Sequence, residues 1–168
     1  MADSKKKIVR RRPGSFVAIP ISDVLYGYAR ILDKLMAFYS LNSEKIEDVD
    51  SVINSPIAFI APVQFSAVKD GRWPIIGHRP LEERFTKDVK FFRVNPSGNG
   101  FLIYVSKPKP PHAYEEYEAD VSDCVGLDPL IAWDPNSIED RLRDYVNGRE
   151  NQNVERYLSS IRKNIRTS

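Results

Sequence analysis

Residues 13–41 read PGSFVAIPISDVLYGYARILDKLMAFYSL, three β-prone runs separated by two turn signals. Phe16, Val17, Ala18 and Ile19 make the first run. Leu25 to Leu32 makes the second, and period-two geometry puts Tyr26, Tyr28 and Arg30 on one of its faces. Met36 to Leu41 makes the third. Asp23 marks the first turn and Asp33-Lys34 the second. Short sequential strands with tight turns predict an antiparallel meander, bent and able to curl into a small barrel. Gly27, inside a strand, predicts a bulge or a close backbone approach.

Outward from this run the signals alternate. Ser43 to Asn54 predicts a helix capped by Ser43, with Ile46, Val49 and Ile53 at helical spacing. Residues 57–68 (IAFIAPVQFSAV) predict a largely buried strand, kinked or placed at an edge by Pro62. Asp70-Gly71 predicts a turn and Trp73 to Ile76 a short strand; residues 80–90 are polar with room for a helical turn. VKFFRV (89–94) and FLIYV (101–105) flank Asn-Pro-Ser-Gly-Asn-Gly, a strong hairpin signal. Residues 106–113 are proline-rich and extended. Leu130 to Trp133 is strand-like.

A helix then starts at Asp134-Pro135-Asn136-Ser137, with Ser137 and Asp140 as the expected capping pair, and stops at Gly148. Its stripe is Ile138, Leu142, Tyr145 and Val146. A last helix over about 151–164 carries Val154, Leu158 and Ile161 on one face. The expected class is α+β: a bent antiparallel sheet or small barrel-like β-core followed by C-terminal helices. The expected organisation is a disordered basic arm (1–12), a single α+β domain (13–150), and a C-terminal helix and tail (151–168).

The chain has 168 residues, 42% of them apolar and 29% charged, enough to bury a core. Its net charge of +2 hides an asymmetry. Residues 1–12 hold six basic side chains and one acidic one. Residues 110–134 hold seven carboxylates and no Lys or Arg, and five basic against two acidic residues follow from Arg149 onward. Charge blocks are usually solvated faces, but such a pattern can also steer a partner. The single cysteine, Cys124, rules out an intrachain disulfide and a cysteine-based zinc site. No apolar run approaches a membrane span, and the basic start lacks the apolar stretch of a signal peptide. The expected setting is cytoplasmic, without a membrane partner.

Catalytic patterns are sparse. His78 and His112 are the only histidines and stand in no HxH or HExxH spacing. The acidic segment lacks the ligand and glycine spacing of a calcium loop. Cys124 follows Asp123, a neighbour that raises a thiol pKa and so disfavours a nucleophile. Nucleophile-elbow, Walker and dinucleotide motifs are missing, and Gly98-Asn99-Gly100 suits a hairpin better than a phosphate cradle. No metal site and no cofactor is expected, and an enzyme is the less favoured reading. The candidate binding residues are Tyr26, Tyr28, Arg30 and Trp73, with Trp133 and Asp134. Tyr, Trp and Arg anchor interfaces when displayed, and Arg30 between aromatics suits an acidic partner group. The competing reading makes both tryptophans core anchors and pairs Arg30 internally with Asp134 or another carboxylate.

PGSFVAIPISDVLYGYARIL resembles the pattern GD-x-F-x-IP-L-x-DG-x-Y-x-YGR-x-L. MAFYSL, SPIAFI, KDGRWPIIGHRPLEE and AWDPNSIEDRLRDYVNG follow in the matching order. Over roughly residues 13–150 the chain is similar to bacterial polymorphic-toxin immunity family 26, a family grouped with the phosphotriesterase HocA. Ser15 replaces an Asp of the pattern, and Asp23-Val24 replaces Asp-Gly. The resemblance implies an immunity protein that binds a cognate toxin in the cytoplasm and neutralises it by occlusion. It also implies, as an alternative, a small phosphotriesterase acting on organophosphate triesters, which the two histidines supply poorly with metal ligands. A third reading, a nucleic-acid-binding β-barrel using the basic arm, is disfavoured by the acidic body, so nucleic acid is an unlikely partner.

Overall fold

A computed structural model describes residues 8–110 and 113–167. The chain divides into two compact units, one ending at Pro80 and one beginning at Leu81.

The first unit is an open five-stranded sheet of β1 (Ser15–Ser22), β2 (Leu25–Ile31), β3 (Leu35–Tyr39), β4 (Ile57–Pro62) and β5 (Ile75–His78). Its order is β4-β3-β2-β1-β5, antiparallel throughout. The predicted meander therefore forms, as a sheet with two ends and not as a closed barrel. Asp23-Val24 is the tight turn between β1 and β2. The register shift lies between Pro20 and Ser22, where proline withholds a ladder donor, whereas Gly27 pairs regularly with Ile19.

Helix α1 (Val49–Ile53) is shorter than the spacing of Ile46, Val49 and Ile53 predicts. Its cap is Asp48, whose carboxylate accepts from Ser51 N, because Ser43 is occupied elsewhere. Val49 and Val52 pack on a core of Phe16, Ala18, Tyr28 and Tyr39. Gly77 makes that packing possible, since a Cβ there would run into Val49 Cγ2. The strand expected over 57–68 ends at Pro62, and a single helical turn, α2 (Ser66–Lys69), follows. Trp73 precedes β5 and does not belong to it; its amide donates to Ala67 O at 2.9 Å.

The second unit is a four-stranded mixed sheet of β6 (Val89–Val94), β7 (Phe101–Ser106), β8 (Tyr114–Ala119) and β9 (Asp128–Pro129), in the order β8-β7-β6-β9. β6 and β7 are the expected hairpin, with Asn95 N donating to Gly100 O across the turn. β9 runs parallel to β6 and takes the place of the strand expected at 130–133. A 3-10 turn (Glu83–Phe85) precedes β6. Helices α3 (Val121–Cys124), α4 (Pro135–Val146) and α5 (Gln152–Thr167) complete the unit. Its core joins Phe92, Phe101, Ile103 and Val105 to Cys124 and Ile161. The α+β class is as expected, with helices mostly C-terminal.

Candidate functional site

Arg30, a candidate binding residue for which the sequence leaves both a displayed and an internal placement open, is fully buried. Tyr28 and Arg30 do share a face, but it is the face that α1 covers. The Arg30 guanidinium carbon lies 4.0 Å from the Phe16 ring centroid. Nε donates to Gly14 O at 2.8 Å, and Nη2 donates to Arg79 O at 2.8 Å and Pro80 O at 3.0 Å. Nη1 lies 3.4 Å from the Tyr39 hydroxyl. The fork of donors thus satisfies main-chain carbonyls from two segments distant in sequence.

Gly14 completes the arrangement. It holds φ +95°, its N donates to Ile31 O at 2.7 Å, and its carbonyl also accepts from Arg79 N at 3.1 Å. A Cβ at this position would strike Arg79 O and the His78 ring. His78 is half-buried at the end of β5 with Nε2 3.1 Å from Pro13 O. His112 lies outside the described residues.

Tyr28 is equally internal. Its hydroxyl accepts from Glu47 N at 2.8 Å. Ser43 Oγ gives its own proton to Lys45 O at 2.7 Å, so the Tyr28 hydroxyl donates to Ser43 Oγ. Tyr26 is half-buried and bridges Ser43 through its backbone. Together they pin residues 43–47, which explains why no helix begins at Ser43. Trp73 is fully buried. None of Tyr28, Arg30 and Trp73 lines an outer patch.

Arg11, in the segment expected as a disordered arm, donates to Asp33 O and Val63 O, both at 2.9 Å, and lies over the Phe65 ring at 5.0 Å. Burial lowers its pKa, and Asp33 partly opposes that. Lys5, Lys6 and Lys7 lie outside the described residues.

The remaining candidates belong to the second unit. Trp133 is buried, and Arg141 lies 5.1 Å from its ring centroid while pairing with Asp128 at 2.7 Å. Asp134 caps α4: one carboxylate oxygen accepts from Ser137 N at 3.0 Å and the other from Ser137 Oγ at 2.7 Å. These bonds hold its pKa below the ordinary carboxylate value, the side-chain bond contributing most. The cap is therefore Asp134–Ser137, where the sequence suggested Ser137–Asp140. Cys124 is buried, which raises its pKa, with Asp123 adding to the effect. Among the described residues no group of three or more His, Cys, Asp or Glu is placed to hold a metal ion. No helix among them is long and apolar enough to cross a membrane.

What the second unit does present is β8, which charge content flagged but strand signals did not. All but its last residue are exposed, including Tyr114 and Tyr117. It is an edge strand of sequence YEEYEA. Arg93 pairs with Glu116 at 2.7 Å and Lys107 approaches Glu115 at 3.4 Å. Tyr114 stacks on Tyr104 with centroids 5.1 Å apart. A cavity of about 530 Å³ adjoins the end of the strand, lined by Glu118, Asp120 and Asp123 and by the hairpin residues Asn95 and Asn99. Tyr114 and Tyr117 are the β-favouring residues of the strand, but at a spacing of three they give no period-two signal.

Comparison with known proteins gives one positive result. The family described as Immunity protein 26 matches residues 12–101, which span the whole five-stranded sheet and the β6–β7 hairpin turn. No curated protein and no solved structure matches the chain. The match covers more than half of the 168 residues. The chain belongs to the Immunity protein 26 family.

Proposed function

We propose that this protein binds a cognate toxin and neutralises it by occlusion, in the cytoplasm of the producing cell. Membership of the immunity family supports an immunity role in a toxin system, with a toxin as partner. The observation that carries the binding reading is the use made of the polar and aromatic side chains. Arg30, Tyr28, His78 and Asp134 all engage main-chain groups or capping partners, as framework residues do. The chemistry on offer to a partner is then surface chemistry: charge, edge backbone and exposed tyrosine.

In this reading the candidate residues Tyr26, Tyr28, Arg30 and Trp73, with Trp133 and Asp134, act in binding by positioning the surface. Co-expression with the toxin encoded beside this gene tests the proposal. Survival of cells that otherwise die, together with co-purification of a stable complex, is the expected result. Continued toxicity with no complex would reject it.

A further inference from the structure

We propose that β8 is a docking edge that receives a basic, extended segment of the partner protein as an added strand. The inference rests on the binding reading above, and it concerns residues beyond the 12–101 that match the family.

The geometry comes from strand register. β8 pairs with β7 antiparallel, with Ile103 opposite Tyr117 and Leu102 opposite Glu118. Lys107 N donates to Ala113 O at 2.9 Å just beyond the strand, marking that pair as hydrogen-bonded. Antiparallel pairs alternate between bonded and non-bonded. Glu115, Tyr117 and Ala119 therefore bond inward to β7, and Glu116 and Glu118 turn their N–H and C=O groups outward. Since β8 is the sheet's edge, those outward groups are a template for another strand.

Charge selects the occupant. Residues 114–120 contain Glu115, Glu116, Glu118 and Asp120 and no basic residue. A second copy of this chain would set glutamates against glutamates, which disfavours self-pairing. A nucleic acid would meet the same repulsion. A strand bearing Lys or Arg meets complementary charge, and among the described residues no ion pair ties up Glu118. The acidic cavity beside Glu118 offers space for a lysine or arginine side chain at the end of such a strand.

The test uses the full chain, isotope-labelled, titrated with the peptide acetyl-Lys-Val-Lys-Val-Lys-Val-amide while amide shifts are followed. Shifts should concentrate at 114–119 and weaken with salt. Glu118→Pro should abolish them with little loss of stability, because proline is tolerated where an edge N–H faces solvent. Should Glu118→Pro not fold, Glu116→Lys/Glu118→Lys serves instead: it should lose the lysine peptide and gain acetyl-Glu-Val-Glu-Val-Glu-Val-amide. Shifts centred elsewhere, or unchanged by a folded Glu118→Pro or by the charge swap, would overturn the proposal. Co-expression separates it from the wider reading. Glu118→Pro protein that still protects cells would sink the docking edge alone, whereas wild type that fails to protect would sink the immunity reading.

Discussion

The Arg30 guanidinium carbon lies 4.0 Å from the centroid of the Phe16 ring, and the two residues are direct partners across β1 and β2. A buried cation over an aromatic face, with carbonyls around its rim, is stabilising only while every donor is used. Arg30→Met should cost about 3 kcal/mol, because the Arg79 and Pro80 carbonyls lose the Arg30 donor and the Gly14 carbonyl keeps only Arg79 N. Arg30→Lys should recover only part of this, lacking the planar fork. A double-mutant cycle with Phe16→Leu, read from urea unfolding, should give a coupling of about 1–2 kcal/mol. Strict additivity would show that the stacking adds nothing.

Two glycines with positive φ separate backbone strain from steric conflict. Gly71, at +85°, has open space where a Cβ would stand. Gly71→Ala should therefore cost only the conformational term, about 1–2 kcal/mol. Gly14→Ala adds a collision with Arg79 O and should cost distinctly more. Thermal melts of the two variants measure the difference. Equal losses would mean the Gly14 region yields freely.

Asp134 makes α4 sensitive to acid. Its folded pKa is depressed by Ser137, so its contribution is complete above the unfolded value of about 3.9 and is lost as pH falls through the lower folded value. Asp134→Ala should cost about 1 kcal/mol at neutral pH. Asp134→Asn keeps an acceptor and should cost less, with no titration of its own. The wild-type advantage over Asn, measured by urea unfolding, should shrink below about pH 4. An advantage that grew with acid would contradict the cap.

Cys124 should react slowly with a thiol reagent at neutral pH in the native protein. Burial and Asp123 both keep it protonated, and its Sγ lies 3.6 Å from Asp120 O. Urea should bring the rate to that of an ordinary thiol. Rapid native labelling would show that α3 opens readily.

The β1–β3 meander, the β6–β7 hairpin and α4 were legible because local signals agree there: alternation, turn chemistry and capping. The direction in which Tyr28 and Arg30 point was not legible. Period two places them together but leaves open which face of the sheet α1 covers. β8 was missed because glutamate is a poor strand former, and pairing with β7 outweighed propensity. Ser43 looked like a cap until Tyr28, fifteen residues earlier, claimed its hydroxyl. The strand expected near Trp133 formed earlier, at β9, because a parallel pairing has no local signature.

The Arg30 clamp reads oxygen atoms, and not side chains, at positions 79 and 80. Any residue offers a carbonyl. A substitution scan should find intolerance at Arg30 and Gly14 and near indifference at Pro80 and, proline excepted because Arg79 N donates to Gly14 O, at Arg79, although all four meet at one point. The constraint on where the first unit's chain ends is thus written in the sequence some fifty residues before the place it governs.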